Sequence, residues 1–380
     1  MQHFSIPALD AGGPENVKSN VIESHKLRLR GGEVLISRLN PRKPRVHLVE
    51  ASLDEFGVAS TEFVALVPKR ADSRFLRYFL LTESVRQQLD SQIRSATRSH
   101  QRVEPGTILA LPVPKLAMDE QRRIADFLDD RVSRIDRIVA ARREQTASSD
   151  KAFEAWWDCS MRGMEQLNDV VPMRRVLESI ADGPFGSSLT SQHYADDGTR
   201  VIRLGNIGVA AFRDDDRAFI PNDYAATLAT HAVVEGDLLM AGLGDDRWPL
   251  GRCAVVPDVG PAIVKADCYR IRLQSTFSHE FAAIALSSPH VRSRLAMLGR
   301  GATRARLNTE VAREAPLVLL SGAEQASYTS EWKERRDETE QMRCGIELSI
   351  DLLTEYKSSL ITAAVMGELD VSTAGSSIPE

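Results

Sequence analysis

From Glu120 onward, apolar residues recur at three- and four-residue steps: Ile124, Phe127, Leu128, Val132, Ile135, Ile138 and Val139, with Asp and Arg between them. That period predicts a long amphipathic helix. No Gly interrupts it before Gly163 and no Pro before Pro172. About 40 helical residues span about 60 Å, longer than an ordinary globular helix, which points to a coiled-coil partner. A second run, from about Ala323 to Met366, carries Met342, Ile346, Ile350, Leu353, Tyr356 and Leu360 on one stripe, with Gly345 as a weak point inside it. The two runs either pair antiparallel, as a rod with a mixed domain at each end, or pack each on its own domain. Their length favours pairing.

The remaining chain has a different texture. Val34-Leu35-Ile36 and Phe63-Val64-Ala65-Leu66-Val67 are short apolar runs ended by Asn40-Pro41 and Pro68, and read as strands. Val201-Ile202-Arg203-Leu204, Leu238-Leu239-Met240 and Tyr269-Arg270-Ile271-Arg272-Leu273 are strand candidates further on. Helical spacing returns at Phe75, Tyr78, Phe79, Val85 and Leu89, and again at Phe281, Ile284, Val291 and Leu295, where Pro289 predicts a break. The expected class is α+β: two mixed domains and two long antiparallel coiled-coil helices with a pseudo-two-fold internal repeat.

The repeat is explicit. Glu120-Gln121 and Glu324-Gln325 each open a long helix, and Gly163 and Gly367 close them, at an offset of 204. Gly32-Glu33-Val34-Leu35 matches Gly236-Asp237-Leu238-Leu239 at the same offset. The offset becomes 206 at Val58/Val264, Phe63/Tyr269, Val85/Val291, Leu89/Leu295 and Thr97-Arg98/Thr303-Arg304, and returns to 204 at Arg102/Arg306. A drift placed in loops is what a duplicated domain should show, so the chain divides into 1–115, a helix at 116–165, 166–318, a helix at 319–370 and a polar tail at 371–380. The alignment puts residue 1 opposite about residue 205, which leaves 166–204 unmatched and the first domain short at its front.

Charge sharpens the picture. The net charge is −5, with 43% hydrophobic and 27% charged residues, ordinary values for a globular protein. The bases are not evenly spread. Lys26, Arg28, Arg30, Arg38, Arg42, Lys43 and Arg45 face a single acid, Glu33, within 26–45, and Arg292, Arg294, Arg300, Arg304 and Arg306 lie in an acid-free stretch. Local basic patches on an acidic chain fit duplex DNA on one face and another partner elsewhere. Candidate DNA contacts are Arg28, Arg30, Arg38, Arg42, Lys43 and Arg45; Arg98 and Arg102 with their counterparts Arg304 and Arg306, which follow a Gly-Ala-Thr loop suited to phosphate; and Arg247 in a loop placed like Lys43-Pro44. Solvated surface charge is the plain alternative, as core packing is for Trp248, Trp156 and Trp157. Gly183-Pro184-Phe185-Gly186 reads first as a turn.

These residues point to a family. Leu111-Pro112-Val113-Pro114 followed by Glu120-Gln121-Arg122-Arg123-Ile124-Ala125-Asp126-Phe127-Leu128 and Arg134-Ile135-Asp136 resembles the specificity subunit of Type I restriction-modification systems. The segment from Leu352 to Val371 resembles that family's C-terminal conserved region. Ser5-Ile6-Pro7-Ala8, Ser37-Arg38-Leu39-Asn40-Pro41-Arg42, Gly183-Pro184-Phe185-Gly186-Ser187 and Gly301-Ala302-Thr303-Arg304 resemble parts of its target recognition domains. The resemblance implies that each mixed domain reads half of a bipartite DNA site. It implies that the helices set the spacing and dock two methyltransferase subunits, with Glu120, Gln121, Ile124, Phe127, Leu128, Ile135, Tyr356 and Leu360 as docking candidates. Restriction subunits would join through those, in a bacterial or archaeal cytoplasm.

Catalytic signatures are missing. Asn40-Pro41-Arg42-Lys43 and Pro221-Asn222-Asp223-Tyr224 both fail the methyltransferase Asn/Asp-Pro-Pro-Tyr/Phe pattern, and no phosphate-binding G-x-x-x-x-G-K-S/T loop occurs. Histidines have no HExxH or HxH spacing; Asp214-Asp215-Asp216 and Asp245-Asp246 read as solvated loop acids before metal ligands. Cys159, Cys253, Cys268 and Cys344 lack CxxC spacing and read as reduced thiols. No enzyme, cofactor, metal or membrane span is expected. The competing reading is a coiled-coil adaptor that bridges two proteins without sequence-specific DNA binding.

Overall fold

The computed structural model describes residues 1–18, 20, 22, 24–50, 56–92, 101–245, 247–299 and 305–372. It is mixed helix and sheet, and it divides into two compact units. The first comprises Met1–Glu144 with Gly345–Glu380, the second Gln145–Cys344.

In the first unit, β1 (Gln2–Phe4) lies between β2 (Glu15–Asn16) and β6 (Gly57–Ser60), and β3 (Lys26–Leu29) completes a sheet ordered β2-β1-β6-β3. A helical turn, α1 (Ile6–Asp10), follows β1. A second sheet, β5-β4-β7, is formed by β4 (Val34–Ser37), β5 (Val46–Leu48) and β7 (Phe63–Leu66). Helices α2 (Ser73–Leu80), α3 (Glu83–Ser91) and α4 (Pro105–Leu109) lead into α5 (Met118–Leu167), whose first half belongs to this unit.

The second unit repeats the plan. β10 (Thr199–Ile202), β11 (Phe219–Ile220), β12 (Ala232–Val233) and β15 (Ala262–Val264) form a sheet ordered β11-β10-β15-β12, with α6 (Asn222–Thr227) after β11. β13 (Leu238–Ala241), β14 (Cys253–Val255), β16 (Cys268–Leu273) and β9 (Leu177–Ala181) form the other, ordered β14-β13-β16-β9. Helices α7 (His279–Ser287), α8 (Pro289–Leu298) and α9 (Thr309–Arg313) precede β17 (Pro316–Val318), which pairs with β8 (Val170–Pro172), and then α10 (Gly322–Met366).

Each predicted helix and strand has an observed counterpart, but α5 runs through Gly163 to Leu167 and the strand at Val201 ends at Ile202. The helical stretch breaks at Pro289 as predicted: α7 ends at Ser287, and Pro289 begins α8 with Ser288 as its cap. Gly32 and Gly236 both sit at φ +83°, a conformation other residues adopt only with strain, and each donates its N–H to the end of the neighbouring hairpin strand, at Val49 and Val256. Glu33 and Asp237, one residue later, accept backbone N–H groups from the same turn. Gly345 does not interrupt α10.

Sheet register corrects two parts of the sequence alignment. Val34 pairs with Leu66 where Leu238 pairs with Ile271, so the strand offset is 205, not 206. Phe63 is therefore the counterpart of Cys268, not of Tyr269. The distinction matters because one residue of slip exchanges the two faces of a strand. Phe63 and Ala65 pack with Phe4, Leu29 and Leu35, whereas Val64 and Leu66 face Val34 and Ile36. Second, β10, which the alignment left unmatched, has its counterpart in β1. β1 runs parallel to β6, with His3 opposite Val58, as β10 runs parallel to β15, with Val201 opposite Ile263. What the first unit lacks among its described residues is a match for β8 and β9.

That difference is visible in burial. In the second unit β9 covers the edge of β16, and β8 covers β17, so Ile271, Leu317 and Val318 are buried. At the equivalent sites of the first unit Leu66, Val113 and Pro114 are only half-buried, and Val67 and Leu109 are 70% and 69% exposed.

Within each unit the long helices pair antiparallel. In the second, Trp156, Trp157 and Ser160 of α5 meet Arg335, Trp332 and Tyr328 of α10 in descending order. In the first, Asp136 of α5 meets Lys357 of α10 at 2.6 Å, and Ile124, Leu128 and Ile135 share a core with Leu360, Ile361, Ala364 and Val365. The helix halves also pack on the sheets and helices of their own unit. Pairing and packing are thus combined, not alternatives. Trp157 and Trp332 are buried at this junction.

Candidate nucleic-acid interface

Each unit carries the same small frame at one end of its second sheet. In the first, Leu39, just beyond β4, bridges to Arg102, and Val103 N–H donates to the Arg38 carbonyl. Arg102 then forks onto Glu62 with two hydrogen bonds of 2.7 and 3.0 Å, which hold the Glu62 carboxyl below its ordinary range. In the second, Leu243 bridges to Arg306, Gly244 N–H donates to the Ala305 carbonyl, and Arg306 lies 2.8 Å from Asp267. Glu62 and Asp267 occupy equivalent positions in the strand register. The Arg–carboxylate pair is therefore part of what the two units share.

The second frame has an additional layer. Asp182 accepts N–H groups from Gly183 (2.7 Å) and Asp267 (2.8 Å), tying the segment after β9 to the start of β16. Burial raises its carboxyl to about 6 against these two bonds. Gly183 is required there, since a Cβ would stand 2.1 Å from the Lys265 carbonyl carbon. Phe185 is exposed, with Arg306 over its ring at 5.6 Å. The Gly183–Phe185 segment lines the frame as irregular chain, and a 3-10 turn follows at Gly186–Ser188.

The basic run of the first unit is less free than its sequence suggests. Arg45 forks onto Asp10 at 2.8 and 2.9 Å, Lys43 lies 3.4 Å from the same carboxylate, and Arg42 bonds Asp90 at 2.8 Å. Arg45 holds the Asp10 carboxyl below its usual range. Arg38 is half-buried and lends its charge to Glu62. Arg28 and Arg30 are exposed without a carboxylate partner among the described residues, and Arg28 lies over Phe56. Asp10 and Asp90 are 35 and 48 residues from their partners, so a sequence window does not reveal the neutralisation. Arg98, Arg304 and the Gly301–Thr303 loop lie outside the described residues.

The two units differ most between their first two hairpin strands. Ser37 N–H bonds the Arg45 carbonyl, and Ala241 N–H bonds the Arg252 carbonyl. Arg45 and Arg252 are thus the equivalents, and the second loop, 242–251, is three residues longer than 38–44. Arg247 consequently has no true counterpart in Lys43. Arg252 is buried, burial lowers its pKa, and it donates to four carbonyls, those of Leu204, Ile207, Leu243 and Pro249. Trp248 is half-buried above it, with Arg213 at 4.6 Å, Arg247 at 5.5 Å and Arg252 at 5.6 Å from its ring. The sequence left core packing and a loop role equally open for Trp248, and the half-buried ring serves the loop.

Other acids are also occupied. Asp214 pairs with Arg200 and Arg217, Asp215 with Arg213 and Asp216 with Arg203. Among the described residues no group of three or more His, Cys, Asp or Glu is placed to hold a metal, and no helix is long and apolar enough to cross a membrane. The four cysteines are free; Cys253 and Cys268 are buried, which pushes their thiols up.

On the long helices, Ile124, Leu128, Ile135 and Leu360 are buried within the first unit, and Phe127 packs at the margin of that core. Gln121 is buried too: its carbonyl accepts the Asp72 N–H at 2.9 Å and its amide donates to the Leu116 carbonyl at 2.9 Å. Gln325 makes the same pair of bonds with Ser278 and Leu320. These side chains hold the helix to its own unit and present no docking surface. Glu120 is half-buried, and Tyr356 is exposed. Tyr356 continues a stripe at four-residue steps with Leu348 and Leu352, all three exposed.

No protein-family profile and no curated protein matches the sequence. Solved structures do. A structure described as the basis of complex assembly and conformational transition of the type I R-M system matches with a TM-score of 0.74 at 14% identity, over 97% of this chain and 92% of that one. The HsdS subunit from Thermoanaerobacter tengcongensis matches with a TM-score of 0.51 at 15% identity, over 97% and 90%. The fold is that of an HsdS specificity subunit.

Proposed function

We propose that this chain is the non-catalytic DNA-specificity subunit of a Type I restriction-modification complex. Residues 1–115 and 166–318 each read one half of a bipartite duplex site. The helices at 116–165 and 319–370 set the gap and dock two methyltransferase subunits, to which restriction subunits attach. The observation that carries this reading is a common frame, closed by Arg102–Glu62 and Arg306–Asp267, bearing hairpin loops of different length on an HsdS fold. Two similar readers with different loops suit two different half-sites. The exposed stripe of Leu348, Leu352 and Tyr356 supports docking on α10, because an apolar row at helical spacing is costly in water and matches a helical or grooved partner.

The test is co-expression with a methyltransferase subunit in a host lacking such a system, followed by methylome sequencing. Modification of one split sequence is expected. Duplex binding measured at two salt concentrations should keep its preference for that sequence as total affinity falls. Equal binding to all duplexes at both salts, with no modified sequence, returns the chain to a protein-bridging adaptor.

A further inference from the structure

We infer that Arg247, braced on Trp248, is the base-reading residue that sets one guanine position of the second half-site. The inference rests on the DNA-reading function proposed above. Asp246 lies outside the described residues, and the loop residues on either side of it are tied together. Asp245 Oδ1 accepts the N–H groups of Arg247 and Trp248 at 3.0 and 2.8 Å, and Asp245 N–H bonds the Trp248 carbonyl at 2.9 Å. Gly244 lies so close to Leu250 that a Cβ would stand 2.5 Å from its backbone nitrogen. Beneath, the buried Arg252 ties both ends of the loop, Leu243 and Pro249, to Leu204 and Ile207 of the other sheet's connection.

On this base the three guanidiniums around Trp248 have different fates. Arg252 is spent on carbonyls, and Arg213 is held by Asp215 at 2.6 Å. Arg247 is exposed and has no carboxylate partner among the described residues. A guanidinium against an indole keeps its N–H edge available while losing little further freedom on binding. A planar donor fork of this kind pairs with O6 and N7 of guanine in the major groove. The first unit has a shorter loop with no tryptophan, and its Lys43 and Arg45 converge on Asp10. The loop, where the units differ most on a frame they share, is a place for two readers of unlike half-sites to diverge.

The experiment compares wild type, Arg247→Ala, Arg247→Gln and Trp248→Phe, each co-expressed with the methyltransferase subunit and read by methylome sequencing. For Arg247→Ala, one G·C position of one half-site should relax by about tenfold or more, with the other half and the gap unchanged. Trp248→Phe should keep the sequence with weaker discrimination at the same position. Arg247 is exposed, so loss of folding is not expected to obscure the result; thermal melting checks it. If both arginine variants modify the wild-type sequence with unchanged stringency, or at a lower rate only, Arg247 is at most a phosphate contact and the inference fails. If both half-sites relax together, it fails also. If the wild type modifies no split sequence, the DNA-reading function fails first and takes this inference with it.

Discussion

Gln121 and Gln325 each join the start of a long helix to the N-cap residue of a shorter one, Asp72 or Ser278, through a buried amide. Removing the amide leaves a part-buried backbone N–H without that partner, which costs about 1 kcal/mol. Gln121→Leu should therefore destabilise the first unit and Gln325→Leu the second, read as faster hydrogen exchange confined to that unit. Exchange that accelerates equally in both would contradict the assignment. Asp182 supports a pH prediction at the same scale. Its carboxyl is raised from 3.8 to about 6 in the folded chain, so the folded state holds the proton more tightly than the unfolded one. Its ionisation costs nothing below the unfolded value, progressively more as pH rises from about 4 to about 6, and the full amount above. Asp182→Asn keeps an oxygen for the Gly183 and Asp267 N–H groups without the charge. The melting temperature of the variant should gain on wild type across that interval and run parallel to it above. A difference that is flat with pH would show that the two N–H bonds already offset the burial.

At the scale of elements, the contrast between β7 and β16 is the sharpest. β16 has a strand on each side; β7 has β4 on one side and no partner among the described residues on the other. Edge-strand amides open at lower cost than those in the middle of a sheet. Amides of Phe63–Leu66 should therefore exchange faster than those of Cys268–Leu273 in the same experiment, and equal protection would mean that the β7 edge is covered in solution. A short apolar run ended by Pro68 identified β7, and Tyr269–Leu273 was legible as a strand candidate. The 206 offset for Phe63/Tyr269 was not a safe guide, because matching two aromatic letters cannot see that the strand ladder places them on opposite faces.

At the scale of the molecule, both helices pass from one unit to the other, between Glu144 and Gln145 in α5 and between Cys344 and Gly345 in α10. If the helices measure the gap between half-sites, inserting one turn of four residues at both points, a rise of about 6 Å, should lengthen the gap by up to about two base pairs. Both half-sites should stay unchanged in the methylome, and an unaltered gap would sink the ruler. The docking stripe belongs to this scale too. Leu348→Glu with Leu352→Glu should abolish co-purification with the methyltransferase subunit while leaving the melting temperature of the chain within a few degrees, since both side chains are exposed.

The sequence by itself determined the period of the long helices, the most apolar strands, the duplication and the resemblance to specificity subunits, because each is written in local spacing or in a repeat along the chain. Which arginines remain available was decided only in three dimensions. Asp10, Asp90 and Glu62 reach their partners from distant positions, and an ion pair depends on distance in space. The same holds for the apolar face of α5. Helical spacing announces that Ile124, Leu128 and Ile135 will be covered, but not by what, and here the cover is the chain's own core. The long repeat suggested two similar readers, the first short at its front. Tertiary structure separated the frame they share from the loop, with Arg247 and Trp248, in which they differ, because only paired strands reveal which residues are equivalent.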